Sequence, residues 1–138
     1  MRLVPLLCLL SSLTGCAQLW PRHDPALAWI DLQPAAGQQL GFSQVDGHDL
    51  EDADYVQLSP EHHELQVRLH FEVAPGNVGG SAAALPRTCL LNLDYAGFSA
   101  GQRYRLETGS RGFRPWAKLR DQHGYTLATA REGRCGDV

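Results

Sequence analysis

The sequence predicts an all-β fold, an antiparallel β-sandwich of seven or eight short strands, and three observations lead there. Residues 62–73, HHELQVRLHFEV, alternate polar and apolar side chains along most of their length. Similar short segments recur roughly every 10 residues from Ala28 onward, separated by Gly, Pro, Asp and Ser. No window carries the period of an amphipathic helix.

The strands follow in order. AWIDL (28–32) is the first. QLGFSQVDG (39–47) places Leu40, Phe42 and Gln44 on one face, with Val45 out of phase beside a turn. DYVQL (54–58) is a third short strand. In 62–73, Leu65, Val67, Leu69, Phe71 and Val73 hold the odd positions, and Glu64, Gln66, Arg68, His70 and Glu72 the even ones. A helix would scatter these apolar residues, whereas a strand gathers them on one face. The segment is therefore a half-buried strand with one wet side.

APGNVGGSAAALP (74–86) is a long Gly- and Ala-rich loop. RTCLLNLDY (87–95) resumes the alternation with Cys89, Leu91, Leu93 and Tyr95 in phase. After the turn AGFSAG, QRYRLETG (102–109) points Tyr104 and Leu106 inward and Arg103, Arg105 and Glu107 outward. SRGFRP is a further loop. WAKLRD (116–121) then pairs with YTLATA (125–130) across Gln122-His123-Gly124, where Gly124 supplies a positive φ. REGRCGDV closes the chain.

A length of 138 residues suits one domain. Net charge is −3, with no basic tail and no run of like charges. That balance argues against a nucleic-acid partner, and nothing in it calls for a strongly charged one.

The N-terminus carries targeting information. Arg2 precedes an apolar stretch, Leu3 to Leu13, which Pro21, Arg22, His23 and Asp24 end well short of a membrane span. Residues 1–15 therefore read as an export signal. Leu13-Thr14-Gly15-Cys16 resembles the bacterial lipobox. That resemblance implies that Cys16 carries a diacylglycerol, that the preceding peptide is removed and that the new amino group is acylated. Several acyl chains anchor firmly where a single one holds only marginally. Ala17, Gln18 and Leu19 include no Asp after the Cys, which by analogy with lipoprotein sorting favours the outer membrane. The domain would face the periplasm or the cell surface.

Residues 16–27 then form a lipidated tether and residues 28–138 the sandwich. The two prolines of the tether discourage helix. Two places suit Trp20, the membrane interface or the surface of the domain. Cys8 leaves with the signal and Cys16 is taken by lipid, so Cys89 and Cys135 remain as a pair in an oxidising compartment, and a disulfide is expected. No CxxC spacing supports a redox or metal pair.

Val45-Asp46-Gly47, followed by Leu58-Ser59-Pro60-Glu61-His62-His63-Glu64-Leu65-Gln66-Val67, resembles the core of PEGA-type domains. FSAGQRYRLE (98–107) is similar to a segment of small bacterial lipoproteins of that shape. The resemblance implies a transthyretin- or immunoglobulin-like sandwich on the envelope, and it brings no active site. The Pro-Glu-Gly-Ala signature itself is absent, and Glu61 stands where Gly would make a type II turn, so a type I turn is expected.

Chemistry-bearing residues are sparse. His62, Glu64, His70 and Glu72 share a strand face, with His63 beside them, but a zinc site needs three or four converging ligands. A solvated strand face is the expectation, with no metal and no cofactor. The acidic stretch DGHDLEDAD (46–54) departs from the EF-hand pattern because Gly47 follows its first Asp. No Gly-x-Ser-x-Gly and no Ser, His and Asp set at informative spacing marks a hydrolase. Trp29, Tyr104, Phe113, Trp116 and Tyr125 offer material for a sugar platform, although core filling suits them better.

The resulting expectation is a non-catalytic, membrane-anchored envelope lipoprotein. It would contact an envelope protein or glycan through its strand edges and the 74–86 loop. The alternative is a small metal-binding or enzymatic protein using His62, His63 and His70. A third reading is a stabilising subunit of a larger envelope machine.

Overall fold

A computed structural model describes residues 22–77, 79 and 83–138. Cys8, Cys16 and Trp20, and with them the expected signal, the lipidation site and half of the tether, lie outside the described residues. The strands are β1 (Ala28–Gln33), β2 (Gln39–Val45), β3 (His48–Ala53), β4 (Tyr55–Leu58), β5 (His63–Val73), β6 (Leu85–Tyr95), β7 (Arg103–Arg111), β8 (Arg114–Arg120), β9 (Thr126–Thr129) and β10 (Arg131–Cys135). One short 3-10 turn, Pro75–Asn77, follows β5. The first sheet runs β4-β1-β7-β8-β9 and the second β10-β6-β5-β2-β3.

The all-β sandwich is as the alternation predicts, with two corrections. There are ten strands, not seven or eight. The expectation of antiparallel pairing fails at one place: β1 runs parallel to β7, from Trp29 opposite Arg103 to Gln33 opposite Glu107. The other strand pairs are antiparallel.

β5 and β6 form the spine, in continuous register from His63 opposite Tyr95 to Val73 opposite Leu85. The odd residues of β5 are all buried, His63 included. They meet Ile30, Leu106 and Leu119 from the first sheet and Phe42, Cys89 and Leu91 from the second. Each fully buried side chain of this size contributes about 1.5–3 kcal/mol.

Turn chemistry sets the hairpins. Asp46 (φ 50) and Gly47 (φ 76) both take positive φ, the signature of a two-residue type I′ turn between β2 and β3. Gly112 (φ 58) opens the two-residue turn between β7 and β8, with Phe113 beside it. Between β8 and β9 the Asp121 carboxylate accepts the N–H groups of His123 and Tyr125, both at 2.9 Å, and Gly124 has φ 86. Glu61 keeps a negative φ, so no type II turn forms there.

A bulge between Phe42 and Gln44 changes the phase of β2. Val45 therefore faces Leu65 on the core side and Gln44 faces Gln66 on the outer side, the reverse of a simple alternation. The last residues of the expected tether make hydrogen bonds to the sandwich. The backbone N–H of Asp24 donates to Gln57 Oε1 at 2.8 Å, and that of Gly101 to the Leu27 carbonyl at 2.9 Å. The first described residues are thus fastened to the domain, and residues 22–138 contain every described strand of both sheets.

β10 pairs with β6, and the Cys89–Cys135 disulfide joins them across a sequence separation of 46. A loop of that length is worth about 4 kcal/mol in the chain-entropy account. Replacing both cysteines with Ser should lower the unfolding free energy of residues 22–138 by about that amount. Urea titration of the oxidised wild type against the double variant checks it, and equal midpoints would refute it.

Candidate functional site

The histidines do not converge. His62 lies just before β5 and meets Asp94 at 3.1 Å, both side chains being half exposed. His70 bonds Thr88 Oγ1 through Nδ1 at 2.9 Å. The eight residue steps from one position to the other span about 26 Å of extended chain. Glu64 is exposed, and its backbone N–H donates to Asp46 Oδ1 at 2.8 Å. His63, expected beside this set, points the other way, into the core side. Among the described residues no group of three His, Cys, Asp or Glu side chains is placed to hold a metal ion.

His63 instead completes a contact that sequence spacing does not reveal. Its Nδ1 lies 2.6 Å from Asp46 Oδ2, and its Nε2 lies 3.0 Å from the Ser59 carbonyl oxygen and 3.2 Å from Ser59 Oγ. The order Asp–His–Ser has the outline of a hydrolase triad, but the protons run elsewhere. The Ser59 hydroxyl donates to Glu61 Oε1, a stronger acceptor than an imidazole nitrogen. The Asp46 carboxylate and the Ser59 carbonyl oxygen, both acceptors, face the two ring nitrogens. The trio clips the β2–β3 turn to the start of β5, with Phe98 packed 6.0 Å from the imidazole.

The Asp46 carboxyl is held below the usual carboxylate range, first by the Glu64 backbone N–H and next by the His63 ring. A folded-state pKa below the unfolded value gives stability that is present above the unfolded value and lost as pH falls through the folded one. Asp46→Asn should therefore weaken the fold at neutral pH, and its deficit against wild type should close in acid. His63→Ala should cost about 2 kcal/mol, because a buried ring and its hydrogen bonds are removed together. Denaturant titrations across pH check both, and a deficit for Asp46→Asn that persists unchanged in acid would refute the ionic role.

The aromatic residues are also dispersed. Tyr104 is buried, and its hydroxyl accepts the Ser99 N–H at 2.9 Å. Trp29 is covered: Tyr55 stacks on it at 4.3 Å, Arg103 lies 5.0 Å from its ring centroid and His23 meets its edge at 5.7 Å. Phe113 receives the Arg87 guanidinium at 5.6 Å. Tyr125 stands 71% exposed at the β8–β9 turn. Trp116 lies across Gly109, which has no side chain to obstruct the indole. These five residues make no common platform.

What the fold does assemble is a separation of charge. The register of β1, β7 and β8 places Arg103, Arg105, Arg111, Arg114, Lys118 and Arg120 on the outer face of the first sheet. Only Asp31 and Glu107 oppose them on those strands, paired with Arg103 and Arg120 respectively. The surplus is four positive charges. Arg105, Arg111, Arg114 and Lys118 form no ion pair among the described residues. Arg111, Arg114, Pro115, Trp116 and Lys118 line an open pocket of about 340 Å³ on this face, with the Lys118 amine 5.6 Å from the Trp116 ring centroid.

The outer face of the second sheet has the opposite sign. It carries Asp49, Asp52, Glu64, Glu72 and Asp94 against Arg68 and Arg131. A groove of about 380 Å³ there is lined by Gln44, Gln66 and Asn92 among others. Its amides are already engaged: Ser43 Oγ donates to Gln66 Oε1 at 3.1 Å, and Gln66 Nε2 to Asn92 Oδ1 at 3.0 Å. Net charge alone hides this arrangement, since the two faces nearly cancel.

The fold and this face define a two-faced β-sandwich whose most distinctive exposed surface is basic. No family model, curated protein or solved structure matches the chain.

Proposed function

We propose that the protein is a non-catalytic binding module of the bacterial cell envelope, held to the outer membrane by lipid on Cys16. In this reading it belongs with small lipoproteins that carry a PEGA-like sandwich, and its domain contacts another envelope component. The observation that carries the proposal is the basic outer face of the first sheet, four cations in excess on three adjacent strands. Six like charges held on one rigid face make a recognition surface that needs no moving part.

Two further observations support a binding role over catalysis. The Asp46–His63–Ser59 contacts hold a turn, and the Ser59 hydroxyl donates to Glu61 and not to the imidazole. The edge strands β4, β9 and β10 are four or five residues long, and β3 is acidic. Short or charged edges resist strand addition, which moves the expected contact from the edges to the sheet face. Among the described residues no helix is long and apolar enough to cross a membrane, so the proposed attachment rests on the acyl chains.

Radiolabelled palmitate fed to cells that express the full chain should enter the protein, and Cys16→Ser should abolish the label. A wild-type protein that stays unlabelled would remove the lipid anchor from the proposal.

A further inference from the structure

We infer that the basic face of the first sheet docks on the anionic phospholipid headgroups of the membrane that holds the protein's own anchor. The inference rests on the tethered-module reading above and names its partner. Three features of the face point to it.

The first is where the chain enters the domain. His23 packs against Trp29, and Asp24 bonds Gln57; Trp29 and Gln57 are register partners on the outer side of β1 and β4. The described chain thus begins on the basic face. Five residues lie between Cys16 and Arg22, six Cα-to-Cα steps with a reach of about 20 Å at full extension. A lipid on Cys16 keeps this face, more than the acidic one, within a short distance of the bilayer.

The second is charge complementarity, together with a local cost. The β7–β8 register sets Arg105 opposite Arg120 and Arg111 opposite Arg114. Like charges directly opposite on a sheet destabilise it. Glu107 relieves the first pair through Arg120, but nothing among the described residues relieves the second. A surface of phosphates supplies the missing counter-charge. Each Lys or Arg beside an anionic leaflet strengthens attachment about fivefold.

The third is the presence of indole and phenol groups at the same surface. Trp116 lies half-buried between Arg114 and Lys118. Tyr125 is exposed on a turn joined to Gln102 through Gln122 at 3.2 Å, and the Gln102 carbonyl accepts the Trp29 N–H. That turn is therefore at the end of the sheet where the tether arrives. Trp and Tyr favour the headgroup level of a bilayer. A lipid chain and a basic patch are the two weak signals that together give stable attachment.

The test uses residues 22–138, which lack Cys16, so that docking is read without the anchor. The protein is sedimented with vesicles of phosphatidylcholine alone and of phosphatidylcholine mixed with phosphatidylglycerol. Binding should appear on the mixed vesicles only and should weaken as salt is raised. Arg114→Glu should cut it at least tenfold while leaving the melting temperature unchanged or higher, because it turns a repulsive cross-strand pair into an attractive one. Arg131→Glu makes the same change in net charge on the opposite face and should leave binding intact. Equal binding to both vesicle types, equal losses from the two variants, or capture by lipopolysaccharide or a soluble polyanion with none on the mixed vesicles would each overturn the inference. Failed palmitate labelling removes the anchor and leaves this result standing, so the two readings fail separately.

Discussion

The fold depends on the unbroken ladder between β5 and β6. Its eleven paired residues fix which side chains face the core, and a slip by one residue would exchange the faces entirely. Everything attached to the ladder inherits its phase. Leu65, Val67, Leu69, Phe71 and Val73 go inward on one strand, and Cys89, Leu91 and Leu93 on the other. The Asp46 clip, the disulfide and the acidic outer face all take their positions from that register. β1, β7 and β8 impose the same logic on the first sheet. There the rejected polar side chains happen to be mostly arginine.

How much of this was legible in the sequence varies by element. β5 reads plainly because one of its faces is buried and the other wet, so its alternation is strict. β3 does not, because HDLEDA lies on an edge and puts polar residues on both sides. Its signal was Asp46-Gly47, the pair that supplies the two positive φ values of a type I′ turn. Read only as an acidic loop, that pair hides the hairpin it makes. β10 is equally polar and is held by β6 and a disulfide more than by burial. The bulge at β2 and the parallel pairing of β1 with β7 are set by distant partners, which no local period reports.

The basic face shows why net charge is a poor guide to partners. A chain of net charge −3 places six cations on one sheet face and five carboxylates on the other. Alternation within strands is the cause, since it sends every second residue of β7 and β8 to the same side. QRYRLETG shows two of these arginines, but their pooling with Arg111, Arg114, Lys118 and Arg120 needs the β7–β8 register. His63 teaches the converse. Sequence grouped it with His62 and His70, whereas its odd position sends it inward to Asp46. Residue types alone suggested a cluster, and parity dissolved it.

The disulfide has a consequence for the life history of the chain. Until its thiols are oxidised, only a short polar ribbon covers one border of the long strand β6. An uncovered border of that kind invites pairing with a neighbouring molecule. Closing the bond converts a reversible cover into a permanent one and withdraws the invitation. A newly made copy is therefore most sociable before oxidation, and its safest route keeps the interval between synthesis and sulfur chemistry brief.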